Sequence, residues 1–121
     1  MWKMEKKLFL EILNTAKQLY PKEFLCFLGG NKQKEEINEF IFIPNKANEN
    51  SVYFLEQAIP FDETIIGTIH SHSNTNYKPS KADKKIFQKY PINIIISFPF
   101  GEKNYKAYNQ KSEEISIKLI Q

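Results

Sequence analysis

The stretch INIIISF, residues 92–98, restricts the fold more than any other part of this chain. It holds four isoleucines, no charge and almost no polar alternation. Such a run suits a strand covered on both faces, since a strand with one wet face would alternate. A strand of that kind requires packed layers above and below it. The chain has the means to supply them. Its 121 residues, 41% hydrophobic and 14% aromatic, suffice for one domain, 1–121, with a substantial core.

The remaining segments read as the expected layers. Residues 4–20 carry Leu8, Ile12, Ala16 and Leu19 at helical spacing, and Pro21 ends that helix by disfavouring α geometry in the residue before it. FLCFLGG (24–30) is a short apolar strand closed by two glycines. NKQKEE follows as a hairpin-like loop, and INEFIFIP (37–44) as a second strand. A polar loop is expected at 45–51, then a short element in SVYFLEQA that favours strand over helix. TIIGTIHSH (64–72) reads as a central strand, SNTNYKPS (73–80) as a loop and ADKKIFQKY (82–90) as a helix stopped by Pro91. NYKAYNQ and EEISIKLI read as two final strands. The order implies an α/β fold, a mixed β-sheet packed between helices.

Several function classes recede on composition. No apolar run approaches the roughly 20 residues needed to span a bilayer. The N-terminal segment is interrupted by Glu11, Asn14 and Lys17, unlike a secretory signal. The expectation is a soluble, cytoplasmic protein without a membrane partner. The net charge is +3, and all 17 basic residues are lysine, spread along the chain. A nucleic-acid reader would favour the planar fork of arginine, so no nucleic-acid partner is expected. The single cysteine, Cys26, excludes an internal disulfide and sits in an apolar run, as a small core hydrophobe does.

The chemistry concentrates in TIHSHSNTNYKPSKAD, residues 68–83, which holds both histidines. In a strand, His70 and His72 point to the same face while Ser71 points to the other, with the two Cα atoms roughly 6.5–7 Å apart. Two imidazoles so placed near a strand end can pinch one metal ion. Asp83 is the third candidate, and its position admits two readings. Ser80 and Asp83 form an S-x-x-D pattern, close to a capping box at the start of the next helix. The loop 73–79 also allows that first helical turn to fold back beside the histidines. A His₂Asp set would leave a fourth zinc position open to water, as in catalytic sites. Hydrolysis further needs a proton acceptor, and Glu23, at the opening of an apolar strand, is the candidate. Its other reading is a solvated strand-start glutamate. In a regular strand Glu23 and Cys26 face opposite sides, which disfavours a Cys26–His pair in the same cleft.

These residues carry a resemblance. EFLCFLGG with Glu23, followed by GTIHSHSNTNYKPSKAD, resembles the JAMM motif of the JAB/MPN+ zinc metalloproteases, with His70, Ser71, His72, Ser80 and Asp83 at the family's spacing. The resemblance covers nearly the whole chain and is nearest to the short archaeal members. It implies a cytidine-deaminase-like α/β fold and one Zn2+ per chain held by His70, His72 and Asp83. It implies Glu23 as general base and then acid, and Ser80 as stabiliser of the oxyanion. It implies cleavage after the C-terminal tail of a ubiquitin-like or sulfur-carrier protein, which could lie as an added strand along a sheet edge. A homodimer stays open. Two alternatives stand beside the enzyme: a catalytically silent scaffold for the same partner, and a DNA-repair-associated JAB domain, against which the lack of arginine counts. One departure is notable. The residue after the second histidine is usually Pro in the family and is Ser73 here.

Overall fold

The computed structural model describes residues 1–42 and 64–121. The expected polar loop at 45–51, the element in SVYFLEQA and the end of the strand over 37–44 lie outside the described residues. In chain order the elements are β1 (Trp2–Glu5), α1 (Lys6–Leu19), β2 (Leu25–Asn31), β3 (Glu36–Ile41) and β4 (Ile65–His72). They continue with α2 (Lys81–Phe87), β5 (Ile92–Ser97), β6 (Tyr105–Tyr108), β7 (Glu114–Ile115) and β8 (Ile117–Ile120).

The described strands form one mixed sheet in the order β7-β6-β5-β4-β2-β3-β1-β8. β1 runs parallel to β3 and β8, and β4 parallel to β5, while the other neighbours are antiparallel. β7 and β8 stand at opposite ends of that order, yet only Ser116 separates them along the chain. Two residues reach no more than about 7 Å, so the sheet must curl until its ends meet. The strand expected over EEISIKLI is therefore two strands, one at each end of the sheet.

The curl wraps α1. Phe9, Ile12, Leu13 and Ala16 are buried, an i, i+3, i+4, i+7 stripe. They cluster with Met4, Cys26, Leu28, Ile69, Ile94 and Ile96 from the strands around them. Full burial of a side chain such as Phe9 contributes about 2–3 kcal/mol. The stripe is turned from the expected one, and Leu19 is left 40% exposed. Met4 and Glu5 also depart from the helix expected over 4–20, since they belong to β1. Trp2 and Met4 are buried while Lys3 and Glu5 are exposed, an alternation that makes them a strand between β3 and β8.

The sheet's other face carries α2. Phe87 packs there on Ile95 and Tyr108, and Phe27 meets Tyr90 with ring centroids 5.9 Å apart. Every residue of β5 is buried, as the run INIIIS requires between two layers. Gly67 lets β4 and β5 pair closely, since a Cβ there would collide with the Ile92 carbonyl oxygen. The path β4–α2–β5 is a parallel crossover, and it brings the start of α2 back over the carboxyl end of β4.

Candidate metal centre

β4 lends its outer face to the site. Thr68, His70 and His72 alternate onto the face covered by α2, while Ile69 and Ser71 turn toward α1. His70 is 8% exposed and lies beside Phe87, with ring centroids 6.2 Å apart. The two imidazoles converge, with Nε2 to Nε2 at 3.0 Å. His72 Nδ1 lies 2.7 Å from the Asn76 carbonyl oxygen, which can only accept. That bond puts a proton on Nδ1 and, in the neutral ring, leaves the Nε2 lone pair to a metal.

α2 brings the third donor. Ser80 caps the helix: its Oγ accepts the Asp83 N–H at 3.0 Å, and Asp83 Oδ2 accepts the Ser80 N–H at 2.8 Å. The capping box is complete. The same Oδ2 lies 3.3 Å from His70 Nε2 and 3.7 Å from His72 Nε2. The capping box does not exclude a place beside the histidines, because the cap aims the carboxylate at them. The other end of α2 is tied down by a buried polar pair. Thr68 Oγ1 donates to Asn93 Oδ1 at 2.7 Å, and Asn93 Nδ2 donates to the carbonyls of Tyr90 at 3.0 Å and Phe87 at 3.5 Å.

His70, His72 and Asp83 are the group among the described residues that could hold a metal ion. Around a tetrahedral zinc with bonds of about 2.0–2.1 Å, donor atoms stand roughly 3.3–3.4 Å apart. The separations of 3.0, 3.3 and 3.7 Å scatter about that edge, so two imidazoles and a carboxylate fit the ion in number, kind and spacing. Without metal, Asp83 faces both imidazoles directly. Burial raises the Asp83 carboxyl, but hydrogen bonds from His70 and His72 and the charge of His70 outweigh it and hold it well below the usual carboxylate range. Burial lowers the His72 imidazole, yet its bonds to Asp83 and Asn76 and the charges of Asp83 and Glu23 leave it above its ordinary value.

Glu23 arrives through topology. β2 runs antiparallel to β4, with Leu25 opposite His70, so the residues ahead of β2 lie at the carboxyl end of β4. Ser71 fastens them there: its N–H donates to the Phe24 carbonyl at 3.0 Å, and its Oγ accepts the Phe24 N–H at 2.9 Å. Glu23 Oε2 accepts the Ser73 N–H at 2.8 Å and the Ser73 hydroxyl at 3.1 Å. Cys26 pairs with Ile69 and is fully buried on the α1 face, away from the imidazoles. Ser71, Ser73 and Asn76 had no role from sequence alone. Ser71 stands inside the H-S-H pattern and Ser73 beside it, but Asn76 acts through its backbone and leaves no side-chain signal.

Known proteins share this architecture. A JAB1/MPN-domain protein from Archaeoglobus fulgidus is 30% identical, with a TM-score of 0.78 and coverage of 100% of both chains. A second solved structure, described as "JAMM: A Metalloprotease-like Zinc Site in the Proteasome and Signalosome", is 30% identical with a TM-score of 0.77, covering 100% of this chain and 99% of that one. The fold is therefore of the JAB/MPN class. A probable metalloprotease from Haloferax volcanii is 26% identical over 117 residues, 89% of this chain and 73% of that protein. The chain itself belongs to the prokaryotic homologs of the JAB domain, which match it over residues 5–110.

Proposed function

We propose that this protein is a zinc-dependent metalloprotease that cleaves after the C-terminal tail of a ubiquitin-like or sulfur-carrier protein in the cytoplasm. The observation that carries the reading is the meeting of His70 Nε2, His72 Nε2 and Asp83 Oδ2 within 4.8 Å of one another. These atoms would hold one zinc per chain. Bound zinc supplies a Lewis acid and lowers the pKa of water to about 7. Glu23, whose charge is felt by His72, takes a proton from the attacking water and passes it to the leaving amine. Ser80 accepts the Asp83 N–H and keeps its own hydroxyl proton to donate to the scissile carbonyl oxygen as charge develops there.

β2 and β5 occupy both flanks of β4, so a tail cannot add as a strand directly beside His70. It would reach the donor atoms over the carboxyl end of β4, where Glu23 and the 73–80 loop meet. The test is incubation with the ubiquitin-like proteins of the source organism, each carrying a short C-terminal extension. Cleavage at the end of the tail is expected with zinc, and none with a chelator or with Glu23→Gln. Cleavage that persists in either case sinks the reading, as does partner binding without turnover of any tail.

A further inference from the structure

The peptide unit between His72 and Ser73 is held at both ends. Its carbonyl oxygen accepts the Phe98 N–H at 3.1 Å, and its N–H donates to Glu23 Oε2 at 2.8 Å. A peptide plane does not twist freely, so this unit ties the position of Glu23 to the backbone of a metal-site histidine. The Ser73 hydroxyl adds a second bond to the same oxygen, at 3.1 Å. Glu23 is exposed, and an exposed glutamate would otherwise sample several rotamers. A proline at position 73 would have neither the N–H nor the hydroxyl.

We propose that Ser73 is a positioning residue for Glu23. Its N–H and Oγ–H together hold Oε2 and leave Oε1 to take and return the proton. The proposal rests on the hydrolase reading for its kinetic consequence, but the contact itself can be tested without turnover. The two bonds are charge-assisted, the stronger kind, and act on the base rather than on substrate. Losing one should therefore lower kcat and leave KM in place.

The experiment uses the full chain as wild type, Ser73→Ala and Ser73→Thr. With zinc and a cleavable tail, Ser73→Ala should lower kcat about tenfold with KM and zinc content unchanged. Ser73→Thr, which keeps both donors, should restore kcat to within about twofold of wild type. In the metal-free, 15N-labelled protein, Glu23→Ala should move the Ser73 amide proton upfield as its carboxylate partner is lost. A loop held only by its other contacts would leave that resonance in place. A Ser73 amide unmoved by Glu23→Ala, or a Ser73→Ala protein with wild-type kcat, overturns the proposal. Absence of turnover in every protein, wild type included, would count against the hydrolase reading instead, and the amide shift would still decide the Ser73–Glu23 contact.

Discussion

Asp83 Oδ2 accepts the Ser80 N–H at 2.8 Å and lies 3.3 Å from His70 Nε2. One oxygen therefore closes a helix cap and stands in a group of three side chains that could hold a metal ion. The cap holds the carboxylate in a single orientation before any ion arrives, which reduces the ordering a metal would have to impose.

The two jobs separate by mutation. Ser80→Ala removes the acceptor of the Asp83 N–H and should cost about 1 kcal/mol of metal-free stability in urea unfolding, with zinc still bound. Asp83→Asn keeps an oxygen for the Ser80 N–H but removes the charged donor. Zinc measured after dialysis should fall well below one per chain. An Asp83→Asn protein that retains a full complement would show that Asp83 only caps.

Zinc and protons should compete at His72. Its imidazole is held above the ordinary value of 6.5, so in metal-free protein its stabilising charge is present below that value and lost as pH rises through the folded pKa. Asp83 is held below its ordinary value of 3.8, so its contribution is present above 3.8 and lost as pH falls. The pair therefore stabilises the metal-free protein most between these limits. Zinc requires neutral His72, so its affinity weakens as pH falls through the raised His72 pKa. The rise in Tm on adding zinc should be small near pH 5.5 and large near pH 8. Equal shifts at both would contradict this account.

Cys26 should have no part in the chemistry. It is fully buried on the α1 face, and burial pushes its thiol up, away from the reactive thiolate. A thiol reagent should label the native protein only as fast as it opens. Cys26→Ala should keep full turnover at a cost of about 1 kcal/mol in stability. Rapid labelling, or activity lost in a folded Cys26→Ala protein, would overturn this.

The buried Thr68–Asn93 pair should act on the site from a distance. Asn93→Ala strips the acceptor of the Thr68 hydroxyl and the donor to the Phe87 and Tyr90 carbonyls. The expected loss is about 2–4 kcal/mol in urea unfolding. Zinc affinity should fall with it, because α2 carries Asp83. Thr68→Val and Asn93→Ala should be non-additive in a double-mutant cycle. Additive effects would show that the two side chains do not work as a pair.

Much of this was legible in the residues. The run at 92–98 demanded two covering layers, and α1 and α2 supply them. His70 and His72 followed from strand alternation, and S-x-x-D at 80–83 announced a cap. β1 was hidden because its partners, β3 and β8, are both parallel and distant, so no turn marks the pairing. The break at Ser116 was hidden for the same kind of reason. EEISIKLI alternates like one strand, and only closure of the sheet sends its halves to different neighbours.

The sequence by itself determined the parts: two helices, the buried central strand, two imidazoles on one face and an acid at a helix start. These depend on periods of 2 and 3.6 residues and on local capping, which neighbouring residues define. Tertiary structure decided which parts meet. Antiparallel pairing of β2 with β4 carries Glu23 to Ser73, and the crossover through α2 carries Asp83 to His70. Those contacts join residues 50 and 13 positions apart, separations that strand alternation and capping do not encode; the residues pointed to the second only through the length of the 73–79 loop and the resemblance to the JAMM motif.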